Sequence, residues 1–369
     1  MRRILQVVSS LELGGTEAFI MNHYRNIDRN EYYFDFLVLC ANSSPYEAEI
    51  KQLGGNVYYM SLRLSMVYYF SIKAIICKFL KENGPYDVVH SHINNANSFV
   101  MSAAASVNIP VRVSHSHNTG IFNCNILQKA IRSIQRTLIK KYSTVFCACG
   151  QQAGIDLYGD DVSFIVLKNG IDVKRYTSVP FTDVVLKKKE LNISDNSIVY
   201  GNISRFDYQK NIPFVVKIFN EIQKKQNNSV LVIGGQDAEE KDMVLQLIDI
   251  YGIRDKVIIL GKRTDMPILL NLFDVLLFPS RYEGLSILGL EAQAAGTPIL
   301  ASTSVPKEID MGLGLVTFID LKESPQKWAD IVLHSAIKKI SIEERIKCFA
   351  RNGYEVNDSV KKLELIYGK

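Results

Sequence analysis

The sequence predicts an α/β protein that contains two doubly wound parallel sheets. Short apolar runs, which are typical of buried parallel strands, alternate with helical patterns as far as residue 166. A polar segment over 172–196, with Pro180 and three consecutive lysines, interrupts this alternation, and a second alternating series follows it. We therefore predict one domain over 1–175, a second over 176–350, and a C-terminal helical segment over 351–369.

The apolar runs and helical patterns locate the individual elements. Strands are predicted over 4–8, 34–39, 57–60, 88–90, 111–114, 144–147 and 164–166, then over 197–203, 230–233, 257–260, 274–278, 298–301 and 315–319. Helices are predicted over 16–26, 64–82, 95–106, 126–141, 287–295 and 356–367. Because doubly wound sheets bind ligands beyond the carboxyl ends of their strands, we expect the site in the cleft between the domains.

Composition and charge exclude several classes of protein. Hydrophobic residues occupy 47% and charged residues 22% of the 369 positions, a globular composition that argues against disorder. Residues 1–180 hold 18 Lys/Arg and 13 Asp/Glu, whereas the remainder is balanced, so the net charge of +5 lies in the first half. This modest excess suits an anionic membrane surface or a phosphate-bearing partner better than nucleic acid.

Cysteine spacing and hydropathy predict a cytoplasmic protein. The six cysteines include no C-x-x-C pair, so free thiols in a reducing compartment are expected. No apolar window reaches the length of a membrane-spanning helix, since Lys73 and Lys78 break the apolar run over 67–80. Any membrane contact is therefore expected to be peripheral, at the inner face of the membrane.

The segment SRYEGLSILGLEAQAAGTP, over 280–298, predicts an anion site at a helix N-terminus. Ser286 suits the N-cap, and Gly296 followed by Pro298 suits the end of the helix. The first amides of such a helix, those of Ile287 and Leu288, have no intrahelical partner and carry partial positive charge. A phosphate group would bind there.

Two carboxylates flank this predicted anion site. Glu283 lies in the turn before the helix, and Glu291 lies just over one turn inside it. If a diphosphate binds to the amides, a carboxylate on either side of it can accept hydrogen bonds from hydroxyl groups. This arrangement suits the ribose and the hexose of a nucleotide sugar. The alternative is that Glu283 lies on the surface and Glu291 only stabilises the helix N-terminus, and spacing alone does not separate the two interpretations.

The spacing E-x7-E within EGLSILGLEAQAAGTPIL resembles the C-terminal signature of the family-4 glycosyltransferases of GT-B fold. The resemblance implies two Rossmann-like domains that face each other across a cleft, with the last helix crossing back to the first domain. It also implies a retaining enzyme that moves a hexose from a nucleotide sugar, most often a UDP-sugar, to a glycan or polyprenyl-diphosphate-linked acceptor in surface polysaccharide synthesis. Glu291 would then bind the ribose, and Glu283 would hold a hexose hydroxyl.

The turn Leu13-Gly14-Gly15-Thr16 follows the first predicted strand and opens a helix. Its glycines let the backbone approach a ligand, and Thr16 is a candidate helix cap. An ordinary β–α turn is the alternative interpretation. The turn resembles the family's N-terminal Gly-Gly turn, which implies that the backbone of Gly15 faces the donor phosphate and the acceptor.

Four histidines form two H-x-H pairs, His90/His92 and His115/His117, and each pair ends a predicted strand. Imidazoles at strand ends suit hydroxyl binding or zinc, but no carboxylate or cysteine follows at the usual spacing of a zinc site. The segment RVSHSHNTG resembles the family segment that carries an active-site histidine. The resemblance implies that His117 contacts the hexose, with His115 as the second candidate.

The segment GNISRFDYQKN places Arg205 and Lys210 just after a predicted strand, where two cations suit a diphosphate. A solvated basic loop is the alternative, but the matching loop of the family holds the donor diphosphate. The chain contains no D-x-D motif, so we expect no metal cofactor, and these cations with the helix amides would neutralise the leaving group. Lys262 and Arg263 follow a later strand, where the resemblance implies possible contacts with the nucleotide base.

One predicted helix, over 126–141, carries a basic face and an apolar face. The basic face comprises Lys129, Arg132, Arg136 and Lys140, and the apolar face comprises Leu127, Ile131, Ile134 and Leu138. The basic face suits an anionic lipid surface or a polyprenyl diphosphate acceptor. A solvated face on a helix that packs against its own sheet is the alternative.

Two other functions fit the same scaffold. A nucleotide-sugar epimerase would need no acceptor, and a non-catalytic nucleotide-sugar-binding protein would release no product. A dinucleotide oxidoreductase is disfavoured, because the turn over 13–17 lacks the G-x-G-x-x-G fingerprint. Both glutamates and both cations of the transferase pattern are present, so sugar transfer is the principal prediction.

Overall fold

The computed structural model describes residues 1–41, 43–117, 125–334 and 340–368. It divides into two compact units, of which unit 1 comprises Met1–Gly170 with Val356–Lys369, and unit 2 comprises Ile171–Glu355. The sequence placed these boundaries after residues 175 and 350, whereas the structure has them after residues 170 and 355. The connecting segments at both boundaries therefore belong to unit 2.

Every strand and helix predicted from the sequence has a counterpart in the structure. The strands are β1 (Arg2–Val8), β2 (Tyr32–Val38), β3 (Asn56–Tyr59), β4 (Val88–Ser91), β5 (Val111–Ser116), β6 (Val145–Ala148), β7 (Ile165–Val166), β8 (Ile198–Ile203), β9 (Ser229–Gly234), β10 (Val257–Leu260), β11 (Val275–Phe278), β12 (Ile299–Ser302) and β13 (Val316–Ile319). The helices are α1 (Gly15–Asn26), α2 (Glu47–Gln52), α3 (Tyr69–Asn83), α4 (Asn97–Ser106), α5 (Ile126–Tyr142), α6 (Gln151–Tyr158), α7 (Val173–Thr177), α8 (Phe181–Glu190), α9 (Ile212–Gln223), α10 (Lys241–Ile250), α11 (Met266–Leu272), α12 (Ile287–Ala295), α13 (Pro325–His334), α14 (Ile342–Arg351) and α15 (Val356–Tyr367).

Unit 1 is built on a seven-stranded parallel sheet of order β3-β2-β1-β4-β5-β6-β7. The chain reverses its direction of travel across the sheet between β1 and β4, which makes this pair the switch point. The registers pair Gln6 of β1 with His90 of β4, and Ser91 of β4 with Ser114 of β5. Polar residues that end these three strands consequently lie at one edge of the sheet, where doubly wound folds bind ligands.

The C-terminal helix α15 completes the core of unit 1. Val356, Val360, Leu363 and Ile366 recur at helical spacing and are buried in the same cluster as Ile4 of β1. Each such side chain removes apolar surface from water, and together they hold the helix in place. The last helix therefore belongs physically to unit 1, although it follows unit 2 in the sequence.

Unit 2 is built on a six-stranded parallel sheet of order β10-β9-β8-β11-β12-β13. Its switch point lies between β8 and β11, which pair directly through Tyr200 and Val275. The loops that leave these strands, over 204–211 and 279–286, are joined by a backbone hydrogen bond from Arg281 to Gln209 and by the Asn211 side chain, which donates to the Pro279 carbonyl oxygen. The switch point thus brings together the loops that carry the two predicted cations and the first predicted glutamate.

Replacing Leu363 with alanine should lower the free energy of unfolding by about 2–5 kcal/mol, because the buried side chain leaves a cavity in the core of unit 1. Leu365 lies on the same helix but is exposed, so Leu365→Ala is the matched control and should cost less than about 0.5 kcal/mol. Urea denaturation measures both values. Equal costs for the two variants would mean that α15 does not pack as described.

Candidate active site

The loop over 204–211 presents Arg205 and Lys210 at the carboxyl end of β8. Asp207 shapes this loop, because its carboxylate accepts the backbone N–H of Lys210 at 3.0 Å and pairs with the Arg205 guanidinium at 3.0 Å. Asn211, with φ 57°, then adopts the left-handed conformation just before α9. The Arg205 side chain is 52% exposed, so it can exchange Asp207 for an anionic ligand.

A largely buried ion pair joins Lys210 to Glu283. Lys210 Nζ lies 2.6 Å from Glu283 Oε1, and the Gln209 side chain donates to Glu283 Oε2 at 3.2 Å. Only 16% of the lysine side chain and 6% of the glutamate side chain are exposed. The sequence predicted that Lys210 binds the diphosphate and that Glu283 binds the hexose of a nucleotide sugar. In the structure the two side chains are paired with each other, and each neutralises the charge of the other.

Arg281 ties the two loops together, and sequence reasoning missed it. Its backbone N–H donates to the Gln209 carbonyl oxygen at 2.8 Å, and its guanidinium pairs with Glu240 at 2.8 Å. The same guanidinium lies 4.0 Å from the centre of the Tyr208 ring, in cation–π contact. No spacing pattern in the sequence could mark these contacts, since they join loops that are distant along the chain.

Helix α12 begins as the sequence predicts. Ser286 occupies the N-cap, and its hydroxyl accepts the Gly289 N–H at 3.4 Å. The amides of Ile287 and Leu288 lie in the first turn, where a helix offers no backbone acceptor to its N–H groups. Glu291 lies one turn further along and is buried. The N-terminus of the helix, where the sequence predicted an anion site, therefore lies directly after the loop that holds Glu283, and the anion site itself stays a prediction.

Gly235 explains why the turn after β9 is rich in glycine. Its φ is 138°, and a Cβ at this position would lie 2.1 Å from the Ser204 carbonyl oxygen. Because that separation is far below van der Waals contact, a side chain would displace the loop that begins with Ser204 and Arg205. The close approach of Gly235 to Ser204 makes this turn a support for the Arg205 loop.

Arg263 lies in a network of ion pairs after β10. Its guanidinium donates to the two Asp265 oxygens at 2.8 and 2.5 Å, and Lys187 lies 3.1 Å from the same carboxylate. Burial raises the pKa of Asp265, but the hydrogen bonds from the two cations outweigh burial, so the pKa lies below its usual value. Lys262 is exposed beside this network. That Lys262 and Arg263 adjoin a nucleotide base stays a prediction.

The Gly-Gly turn of unit 1 opens α1, and the predicted helix cap is wrong. Gly14 occupies the N-cap and Gly15 is the first helical residue, so Thr16 lies inside the helix. The reason is that the backbone enters its helical conformation at Gly15, two residues earlier than a Thr16 cap requires. A cavity of about 180 Å³ adjoins this turn, with polar walls that include Ser9, Thr16, Glu17, His92 and Asn94.

Five of the six histidines lie together in unit 1: His23, His90, His92, His115 and His117. The rings of His90 and His92 stack with centres 4.1 Å apart, and those of His115 and His117 stack at 4.0 Å. His115 is fully buried within β5, whereas His117 is half-buried just beyond the strand. Of the two candidates for ligand contact, only His117 reaches the surface of unit 1.

Burial keeps these histidines neutral. It lowers the pKa of His23 to about 4, because an imidazolium inside the core would lose its hydration. Loss of hydration beside the cluster, with repulsion by His23, lowers the pKa of His117 to about 3. Burial also holds the pKa values of His90, His92 and His115 well below their ordinary value, and repulsion by neighbouring imidazoles adds to the effect. The cluster is therefore a set of neutral hydrogen-bonding groups at physiological pH.

The cluster also contains a group with metal-ligand chemistry. Ring nitrogens of His90, His92 and His115 lie within 4.8 Å of one another, and imidazole is a common ligand of zinc. The sequence predicted no metal cofactor for this protein. That expectation stays a prediction, and these three side chains are the place in the described residues where it can be tested.

Comparison with known proteins identifies the family. The family model described as glycosyl transferases group 1 matches residues 184–310, which include the Arg205 loop, the Lys210–Glu283 pair and α12. The chain is 32% identical over 378 residues to the putative glycosyltransferase EpsF of Bacillus subtilis, covering 99% of this chain and 96% of the relative. The chain therefore belongs to the group 1 glycosyl transferases.

Two further matches extend this result. A galactosyltransferase of Escherichia coli, named for UDP-Gal and α-D-GlcNAc-diphosphoundecaprenol, is 25% identical and covers 79% of this chain and 76% of the relative. The crystal structure of Anabaena HepE in complex with UDP and glucose superposes with a TM-score of 0.77 at 17% identity, over 99% of this chain and 98% of that chain. The structural match confirms the GT-B fold that the sequence predicted. None of the helices in the described residues is long and apolar enough to cross a membrane.

Replacing Lys210 with methionine should destabilise unit 2 by about 3 kcal/mol, because Glu283 would remain buried without its cation. Arg205→Met is the matched control: it removes a half-exposed cation from the same loop and should cost less than about 1 kcal/mol. Chemical denaturation measures both. A Lys210 variant as stable as the Arg205 variant would show that the ion pair is not desolvated.

The stability of the protein should fall as the pH drops below about 6.5, because the unfolded histidines take up protons there while the folded ones do not. Each such histidine contributes a slope of about 1.4 kcal/mol per pH unit between pH 6.5 and its lower folded pKa. Thermal or urea unfolding between pH 7.5 and 5 measures this slope.

His23→Gln should reduce the dependence of the unfolding free energy on pH by about 1.4 kcal/mol per pH unit. This change corresponds to one proton, since glutamine does not titrate. His334→Gln is the control, because His334 is exposed on α13 outside the cluster, and the slope should stay the same. If stability did not change between pH 7 and 5, the five imidazoles would not be held neutral by the fold.

Proposed function

We propose that the protein is a retaining hexosyltransferase that moves a hexose from a UDP-sugar to a glycan or polyprenyl-diphosphate-linked glycan during surface polysaccharide synthesis. The observation that carries this proposal is the Lys210–Glu283 pair at the switch point of unit 2, beside the half-exposed Arg205 and ahead of the α12 N-terminus. A nucleotide sugar has an anionic diphosphate between two hydroxyl-rich sugars. The cations and the helix amides suit the diphosphate, and the carboxylates suit the sugar hydroxyls.

The donor-binding roles follow from where each group lies. Arg205 exchanges its Asp207 contact for the diphosphate, and Lys210 contributes its remaining N–H donors. The backbone N–H groups of Ile287 and Leu288 donate hydrogen bonds to the leaving diphosphate and stabilise the negative charge that grows on it. These donors stabilise the diphosphate without a metal ion, which is why we propose a metal-independent enzyme.

The sugar-binding roles rest on the carboxylates and on one imidazole. Glu283 accepts a hexose hydroxyl while Lys210 keeps its charge balanced, and Glu291 accepts the ribose hydroxyls. His117 contacts the hexose near the reacting carbon, and the backbone of Gly15 faces the donor phosphate and the acceptor. The names of two relatives support the choice of substrates, since one relative uses UDP-Gal and a diphosphoundecaprenol-linked sugar, and HepE was crystallised with UDP and glucose.

Release of nucleoside diphosphate from UDP-, GDP- and TDP-hexoses tests this proposal, with membrane lipid extract as acceptor and a chelator present. We expect one UDP-hexose to be consumed, and the product to keep the anomeric configuration of the donor when examined by NMR. Arg205→Ala should lower kcat by roughly 30- to 1,000-fold, equivalent to ~2–4 kcal/mol of transition-state stabilisation. Arg254→Ala, an exposed arginine of the same unit, is the control and should have no effect.

Each other outcome has a distinct meaning. Loss of turnover with the chelator alone would overturn the metal independence. An isomerised nucleotide sugar with no transfer product would indicate the epimerase. UDP binding without turnover of any donor would indicate the non-catalytic binding protein, and full activity of Glu283→Ala would remove the carboxylate from its proposed role.

We further propose that unit 1 contacts an anionic membrane surface through α5. Helix α5 buries Gln135 and Ile139 and leaves the apolar Ile126 88% exposed. Leu127 and Ile134 of the predicted apolar face are exposed as well, whereas Ile131 and Leu138 are half-buried. The exposed apolar side chains at the start of the helix suit insertion into a lipid headgroup layer.

The basic residues of α5 divide into two groups. Arg136 donates to the Asp156 and Leu157 carbonyl oxygens, and Lys140 pairs with Asp161, so both serve the packing of α5 against α6. Lys129 is exposed next to the apolar N-terminal turn. An apolar end with an adjacent cation is typical of a peripheral contact with anionic lipid, which would place the enzyme at the inner face of the membrane.

The double substitution Ile126→Asp with Leu127→Asp should reduce binding to vesicles that contain phosphatidylglycerol by about tenfold, because it places charges where apolar side chains would enter the lipid. Ile250→Asp changes an equally exposed isoleucine on α10 and should leave binding unchanged. Vesicle sedimentation measures the bound fraction, with pure phosphatidylcholine vesicles as a comparison. Equal binding by all three proteins would exclude α5 as the contact.

A further inference from the structure

A continuous chain of hydrogen bonds runs through the histidine cluster of unit 1. From His117, the first bond joins His117 Nε2 to His92 Nδ1 at 2.8 Å, and the second joins His92 Nε2 to Gln6 Oε1 at 2.8 Å. The Gln6 amide nitrogen then lies 2.8 Å from the Tyr367 hydroxyl, which in turn lies 2.8 Å from His90 Nδ1. The last bond joins His90 Nε2 to His115 Nδ1 at 3.1 Å. Except for the half-buried His117, all of these side chains are buried. Each ring in such a chain must be a donor on one side and an acceptor on the other.

The amide of Gln6 sets the direction of one arm of this chain. Its oxygen can only accept, so His92 Nε2 must carry the proton that it donates to Gln6. A neutral imidazole has one N–H, and His92 Nδ1 is therefore an acceptor, which receives its hydrogen bond from His117 Nε2. His117 in turn has its single proton on Nε2, and its Nδ1 carries the lone pair.

The other arm runs in the same direction. The amide nitrogen of Gln6 can only donate, so the Tyr367 oxygen accepts a hydrogen bond from it. The Tyr367 O–H then donates its own hydrogen bond to His90 Nδ1. His90 then donates from Nε2 to His115 Nδ1. The chain ends at His115 Nε2, a buried atom with no hydrogen-bond partner among the described residues. One buried amide thereby determines the tautomers of four histidines.

We propose that Gln6 is a positioning residue that, through His92, holds His117 in the Nε2–H tautomer and so presents Nδ1 as a hydrogen-bond acceptor for the substrate. The inference rests on the proposed contact between His117 and the hexose. It specifies the partner of that contact as a hydroxyl proton of the sugar, because a lone pair attracts a hydroxyl donor and repels a phosphate oxygen. The cluster is then a device that selects one tautomer.

Two-bond ¹H–¹⁵N correlation NMR on ¹⁵N-histidine-labelled protein at pH 8 tests the tautomers directly and needs no activity. We expect Nε2–H for His90, His92, His115 and His117. His23 is an internal control with the opposite assignment, because its Nδ1 donates to the Phe19 carbonyl oxygen and its Nε2 accepts from Ser359. Single substitutions assign the signals, and an Nδ1–H tautomer at His117 or His92 would overturn the proposal.

Addition of one equivalent of Zn²⁺ separates the hydrogen-bond chain from a metal site in the same spectra. The ring N–H signals should persist if the nitrogens are occupied by one another. Their loss at stoichiometric Zn²⁺ would assign His90, His92 and His115 to a metal instead and would overturn the proposal.

Kinetics with the UDP-hexose that the wild-type enzyme turns over test the consequence for the reaction. Gln6→Met removes the acceptor of His92 and should lower kcat/KM about tenfold, the effect of losing one oriented hydrogen bond. Gln6→Glu keeps an acceptor for His92 and should recover most of this loss. Ser359→Ala, which breaks a buried bond to His23 outside the chain, is the control and should match the wild type.

With a deoxy analogue of the donor that lacks the contacted hydroxyl, the wild type and Gln6→Met should have the same kcat/KM. If Gln6→Met had only a structural defect, its kcat/KM would stay lower with this analogue as well. Thermal melting shows whether each variant is folded. If no donor is turned over, the proposed function fails while the tautomers can still be as assigned. Turnover with an Nδ1–H tautomer at His117 would instead defeat this inference alone.

Discussion

The Lys210–Glu283 ion pair is the interaction on which the candidate site of unit 2 depends. Two ionised groups with little contact with water must be paired, because either one alone would carry an uncompensated charge at a cost of several kcal/mol. The pair joins the loop after β8 to the loop after β11, and these strands are neighbours at the switch point of the sheet. The Arg281 contacts and the cap of α12 act in the same place. The cation, the carboxylate and the helix end are thus positioned by unit 2 itself.

Unit 1 solves a different problem, which is how to bury neutral polar groups. Gln6 and His90 are paired in register on β1 and β4, and His115 and Tyr367 come from β5 and α15. Each of these groups would be costly to bury alone, and the hydrogen-bond chain satisfies nearly all of them. The two sites therefore use opposite chemistry, since the candidate site of unit 2 pairs full charges and the histidine cluster of unit 1 keeps five imidazoles neutral.

Much of the architecture could be predicted from the sequence, because strand and helix patterns are local. The alternation of apolar runs located every strand among the described residues, and Ser286 marked the start of α12 through its capping chemistry. Local reasoning failed where a second element decides the outcome. Thr16 looks like a cap but lies within α1, and α5 buries Gln135 and Ile139 while Leu127 and Ile134 of its predicted apolar face are exposed.

The sequence by itself determined the family and the residue types of the candidate site, since E-x7-E, the glycines and the Arg205–Lys210 spacing lie within short segments whose chemistry is evident without a fold. Only the tertiary structure decided that Lys210 and Glu283 bond to each other and that His115 is buried while His117 reaches the surface. It alone revealed the link from Gln6 to Tyr367, residues at opposite ends of the chain. The physical reason is that hydrogen bonds and ion pairs depend on distances of about 3 Å between atoms, which parallel strand register and helix packing set and sequence spacing does not record.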